Sequence, residues 1–97
     1  MNSQGYVPLG SQQLTAATLV SAASLTVPLG ATDVLLSADT AAVRFRDDGT
    51  APTATTGIAL PNGLAPFQYS GTLSALQFIA GATGAILNAL FYRRAGS

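Results

Sequence analysis

Thr72-Leu73-Ser74-Ala75-Leu76-Gln77-Phe78-Ile79-Ala80-Gly81-Ala82-Thr83-Gly84-Ala85-Ile86-Leu87-Asn88-Ala89-Leu90-Phe91-Tyr92 is the stretch on which the fold turns. Its strongly polar side chains are Ser74, Gln77 and Asn88. From Leu73 onward it matches the roughly 20 apolar residues of a membrane-spanning helix, and Arg93 and Arg94 would form a cationic flank. Gly81 and Gly84 interrupt it, and glycine weakens a helix interior by about 1 kcal/mol relative to alanine. Divided there, the halves alternate as strands do. Leu76, Phe78 and Ala80 share a face with Thr72 and Ser74, while Leu73, Ala75, Gln77 and Ile79 take the other. Beyond the turn, Ala85, Leu87, Ala89 and Phe91 oppose Ile86, Asn88, Leu90 and Tyr92. Two strands joined as a hairpin, each covered on both faces, are the expectation, with the helix as the competing reading.

The rest of the chain favours strands. Residues 19–26, 33–37, 41–46, 54–60 and 66–69 are short runs bounded by Gly, Pro, Asp, Asn or Ser. At intervals of about 8–12 residues, about seven or eight such strands predict an all-β fold: a single small β-sandwich, jelly-roll-like, with antiparallel strands. Residues 1–13 are polar and Gly-containing, with Tyr6, Val7 and Leu9 as apolar groups around Pro8. They are expected to form an extended N-terminal arm, a free tail or a segment docking on a neighbouring subunit, ahead of a sandwich domain over residues 14–97. The first residues lack the basic and apolar regions of a secretory signal. Val-Pro-Leu-Gly occurs at Val7 and again at Val27, without the flanking similarity a repeat architecture needs.

Charge is scarce throughout. Of 97 residues, 8% are charged, the formal net charge is zero and 48% are hydrophobic, against roughly 25% charged residues in an ordinary soluble domain. Such a surface does not repel its own copies, which predicts an oligomer or a subunit of a larger assembly. Without a basic excess there is no electrostatic footprint for nucleic acid. Cys, His, Lys and Glu are absent, so thiolate, imidazole and ammonium chemistry are missing. The side-chain carboxylates are Asp33, Asp39, Asp47 and Asp48. Neither a catalytic residue, a cofactor, a metal ligand set nor a small-molecule substrate is expected.

The charges concentrate in Val43-Arg44-Phe45-Arg46-Asp47-Asp48-Gly49-Thr50-Ala51-Pro52-Thr53. As a strand, this puts Val43 and Phe45 inward and Arg44 and Arg46 outward. Asp47-Asp48-Gly49 then supplies turn chemistry. Adjacent carboxylates diverge on a strand, which argues against a dyad. The run also lacks the alternating ligands of a calcium loop. Arg44 and Arg46 are read either as solvated, as paired with Asp33, Asp39 or Asp48, or as engaged with another subunit. The candidate interface residues are Tyr6, Val7, Leu9, Arg44, Arg46 and Asp48.

That run, followed by Gly57 and closed by Ser74-Ala75-Leu76-Gln77-Phe78-Ile79 and Gly84-Ala85-Ile86-Leu87-Asn88-Ala89-Leu90-Phe91-Tyr92, resembles small virion structural proteins of tailed bacteriophages. The shared features are an aromatic between two arginines, an Asp-Gly-Thr-x-Pro-Thr turn and a Leu-Asn ending with two aromatics. Phe45 stands where many relatives would carry Trp, and Phe91-Tyr92 stands for a Tyr pair. The resemblance implies a phage particle subunit, and within it a capsid decoration or cement protein on the capsid surface. Its implied partners are the major capsid protein and its own copies as a homotrimer. A tail or fibre-tip attachment module, and a small membrane protein spanning with residues 73–92, are the alternatives.

Overall fold

Alternating apolar side chains can be buried only if another sheet lies opposite, and the chain supplies that sheet by pairing with itself. The computed structural model describes residues 5–63 and 66–94. Its strands are β1 (Tyr6–Leu14), β2 (Ala23–Ser24), β3 (Asp33–Asp39), β4 (Val43–Arg46), β5 (Ile58–Leu60), β6 (Phe67–Tyr69), β7 (Gln77–Ala80) and β8 (Ile86–Arg94). They form two four-stranded antiparallel sheets in the orders β1-β8-β3-β6 and β2-β7-β4-β5. Pairs nest: β1 with β8, β2 with β7, β3 with β6 and β4 with β5, all concentric about the loop that holds Thr50 and Pro52. One long hairpin rolled over on itself gives this order, which is that of a jelly roll. The all-β sandwich expected from the sequence is therefore the architecture found.

Val34, Leu36, Leu87, Ala89 and Phe91 point inward from the first sheet, and Val43, Phe45 and Phe78 from the second. Leu14, Leu19, Leu25, Leu60, Leu73 and Leu76 complete the core. The Phe45 ring lies 6.0 Å from Phe78 and 5.8 Å from Phe67, both tilted by 38°. Tilted arrangements avoid face-to-face repulsion between ring quadrupoles.

The stretch from Thr72 to Tyr92 is not a spanning helix. It divides into a 3-10 turn (Leu73–Ala75), β7 and most of β8, and among the described residues no helix is long and apolar enough to cross a membrane. The hairpin expectation is corrected as well, because β7 and β8 belong to different sheets. Strands paired with each other would show their apolar faces in the same direction. Crossing between sheets makes those faces look at each other across the core. The crossing after β7 is braced against the one between β3 and β4, where the Gly81 N–H donates to the Ala42 carbonyl at 2.8 Å. At that corner Thr40 holds φ 72°, a costly value for a β-branched residue.

Three further expectations change. The strand expected over residues 19–26 is a 3-10 turn (Thr18–Val20) and the two-residue β2. The Thr15 carbonyl accepts from both Thr18 and Leu19 N–H at 3.0 Å, which turns Leu19 into the core. Only Ile58–Leu60 of the run over residues 54–60 is strand, and Ile58 is exposed while Leu60 is buried. The expected arm is an edge strand: Tyr6 to Gln13 belong to β1, paired with β8 along its length, with a bulge between Pro8 and Gly10. Leu9 packs against the core and Leu14 is buried within it, so leaving the sheet would expose both. An edge position also tolerates Pro8, which has no N–H to give. Residues 1–4 of the expected arm lie outside the described residues.

Phe78 is fully buried, whereas Leu90 lies on the outer face of the same sandwich and is 46% exposed. Phe78→Ala should therefore destabilise the fold by about 3–5 kcal/mol. Leu90→Ala should change stability by less than about 1 kcal/mol. Urea unfolding followed by circular dichroism checks both.

Candidate functional site

Two polar clusters stand on opposite sheets. The first is built around the loop between β4 and β5. Alternation turns Arg44 and Arg46 to the outer face of the second sheet, and the loop folds back over them. Arg44 donates from Nε to the Ala54 carbonyl at 3.0 Å and from Nη1 to the Gly57 carbonyl at 2.9 Å. Arg46 donates from Nε to Asp48 Oδ1 at 3.1 Å and from Nη2 to Oδ2. The Thr50 N–H also donates to Asp48 Oδ1, at 3.2 Å, closing an Asx turn. Arg46 first, then the Thr50 N–H, hold the Asp48 carboxyl below the usual carboxylate range.

Gly57 is what lets this loop return to the strand. Its φ is 126°, and a Cβ there would stand 3.1 Å from the Phe45 carbonyl oxygen and 3.3 Å from the Pro52 Cβ. A side chain would be strained and would push the buried Pro52 off β4. Tyr69 on β6 donates its hydroxyl to Asp47, tying the edge of one sheet to the loop of the other. Burial, the hydrogen bond to Asp47 and the charge of Asp47 together push the Tyr69 hydroxyl up to about 12.

The second cluster surrounds Asp33, at the start of β3 on the outer face of the first sheet. Only 1% of the residue is exposed. Oδ1 accepts from Thr32 Oγ1 at 2.6 Å and from Arg94 Nη2 at 3.4 Å. Oδ2 accepts from Gln68 Nε2 at 3.1 Å and from the Ser70 hydroxyl. Gln68 also donates to the Tyr6 hydroxyl at 3.2 Å, and the Tyr6 ring meets Tyr92 edge-on at 6.3 Å. Tyr6, Asp33, Gln68 and Tyr92 line a small pocket of about 80 Å³. Burial raises the Asp33 pKa. The donors Ser70, Thr32 and Gln68, with the charge of Arg94, outweigh it and hold the carboxyl at about 2.

The structure thus separates the candidate interface residues. Tyr6 joins the Asp33 cluster, while Val7 and Leu9 are half-buried in β1. Arg44, Arg46 and Asp48 meet at the loop on the other sheet, and Arg44 is committed to loop carbonyls rather than left free for a partner. Each carboxylate has a donor: Asp39 receives Asn88 Nδ2 at 3.0 Å, and the other three are held as described. The arrangement braces loops and edges. Among the described residues, no three acidic side chains converge as a metal site. The residue that sequence reasoning missed is Asp33. Its donors Gln68, Ser70 and Arg94 lie 35, 37 and 61 positions away, and no local pattern marks them.

Compared with known proteins, the chain matches no family model, no curated protein and no solved structure.

Two outcomes test the assigned roles. Arg44→Ala leaves the half-buried Gly57 carbonyl without its donor and should cost about 1–3 kcal/mol. Arg46→Ala loses an exposed ion pair and should move the urea midpoint much less. For Asp33, the folded-state value of about 2 lies below the unfolded 3.8. Its contribution is present above 3.8 and is lost as pH falls through about 2. Asp33→Asn should remove on the order of 2 kcal/mol at neutral pH and flatten the acid limb of stability. Urea titrations across the acid range measure both effects.

Proposed function

We propose that this chain is a structural, non-catalytic subunit of a phage virion: a capsid decoration or cement protein that binds the outer shell and stabilises contacts between capsomers. The observation that carries the reading is the surface. On a sandwich with no net charge, Val20, Leu29, Ile58, Phe67 and Leu90 stand exposed on connections, sheet edges and one outer face. Covering such groups is favourable by about 25 cal/mol per Å² of apolar area, and few charges must be stripped of water to do so. The resemblance carried by the run from Val43 to Thr53 supports the same reading. The jelly-roll order agrees with it by analogy only, since viral capsid domains, lectins and cupins share that architecture.

The partners in this role are the major capsid protein and further copies of the chain. Neither a cofactor nor nucleic acid is required. A subunit that binds the assembled shell but not separated capsomers stabilises the shell through its binding free energy, and nothing is turned over. Its exposed apolar side chains are distributed around the sandwich rather than gathered in one cleft, which suits a subunit that touches several neighbours.

The test is to mix the purified protein with empty shells that lack it. Saturable binding in many copies per shell, with a higher shell dissociation temperature, is the expected result. Binding in a few copies at one position favours the tail or fibre-tip alternative, and an absence of binding overturns the virion reading on the capsid.

A further inference from the structure

We infer that two copies of this chain pair through β1, antiparallel about a two-fold axis, so that their first sheets join into one sheet of eight strands. The starting point is an unequal treatment of sheet edges. The other edge strands are short: β2 has two residues, and β5 and β6 have three each. Short edges offer little to an incoming strand. β1 has nine residues, Tyr6–Leu14, and bonds to β8 on one side only. Among the described residues no backbone hydrogen bond of this chain reaches its other side.

Long exposed edges are ordinarily protected by charged side chains. Tyr-Val-Pro-Leu-Gly-Ser-Gln-Gln-Leu contains none. What protection exists is confined to its first half, where Pro8 lacks an N–H and the bulge before Gly10 breaks the register. From Gly10 to Leu14 the edge is regular and uncharged. The occupant that fits is a second copy. An antiparallel strand is complementary to itself, as a two-fold interface requires. A chain of zero net charge meets no long-range repulsion from its twin.

The surroundings of β1 point the same way. Gln12 accepts the Thr26 N–H at 2.8 Å, which places the connection between β2 and β3 along this side of the sandwich. That connection carries Leu29, which is fully exposed, and the turn that follows β1 carries Val20, 78% exposed. A bulky apolar side chain, Leu29, therefore stands exposed on the connection that Gln12 holds by its Thr26 N–H. With the axis near Gln12, Ser11 of one copy lies opposite Gln13 of the other on the outer face, at the about 5 Å spacing of cross-strand neighbours. Both residues are exposed.

The experiment uses the full chain and no shell, so its outcome is independent of the capsid reading. Molar mass is measured by sedimentation across a concentration series for the wild type, for Ser11→Lys with Gln13→Lys, and for Ser11→Glu with Gln13→Glu. The wild type should dimerise, and each double variant should associate at least about tenfold more weakly, with unchanged circular dichroism. An equimolar mixture of the two variants should recover the dimer, and added salt should weaken it, because lysine then faces glutamate. A purely structural effect on β1 would not be rescued by mixing. A wild type that stays monomeric, a mass of three chains, double variants that keep the wild-type mass, or a mixture that stays monomeric would each overturn the proposal.

Discussion

The constraint on which the rest depends is that the chain pairs with itself concentrically. Phe45 faces Ile58 in the innermost pair and Tyr6 faces Arg94 in the outermost. Each outer pair can align only when the pairs inside it are in register, since a slip of one residue would turn a whole strand's apolar set to water. The loop between β4 and β5 sits at the centre of this nest. Arg44 holding the Ala54 and Gly57 carbonyls, and Gly57 lying against Phe45 and Pro52, keep that centre compact. The cost is kinetic. Contacts between residues as distant as Tyr6 and Arg94 must be assembled against loop entropy, which slows the folding of such topologies.

Few charges are present, and most are drawn into bracing. Arg46 and Asp48 shape the loop, Asp47 ties it to Tyr69 across the sheets, and Asp33 gathers donors from β6, from the residue after it and from β8. Each of these bonds joins segments that backbone pairing alone leaves loosely attached. The same scarcity leaves the outer surface with little polar cover. Val20, Leu29 and Ile58 are exposed where another protein would often carry lysine or glutamate. Internal bracing and external stickiness are two results of one composition, and the second is what supports the proposed role as a subunit of an assembly.

Much of this was legible in the sequence. Alternation alone puts Val43 and Phe45 inward and groups Leu76 with Phe78, and Leu87 with Ala89 and Phe91, on common faces, and all are buried. Both faces of these last two strands are expected to be covered, whereas Leu90 on the opposite face is 46% exposed. The same alternation puts Arg44 and Arg46 on the opposite face, and Asp47-Asp48-Gly49 announces the turn. Three features were not legible. β1 reads as a loose arm because its polar residues suit an edge strand and a tail equally. β7 and β8 read as a hairpin because a tight turn between two strands looks the same whether they pair or cross between sheets. Asp33 reads only as one possible partner of Arg44 or Arg46, because its actual distant donors, Gln68 and Ser70 at β6 and Arg94 on β8, come from segments that no local pattern links to it.

The amino-acid sequence by itself determined which residues of each strand share a face, where most strands break and how little charge the surface carries. These properties depend on residues within a few positions of one another, where backbone geometry acts directly. Tertiary structure alone decided which strands became neighbours, which edge stayed open and which carboxylate was buried. Those depend on pairing between segments up to the length of the described chain. Strand partnership is carried by backbone groups that every residue shares, so no local pattern names the partner. Only the closing of the whole nest selects it.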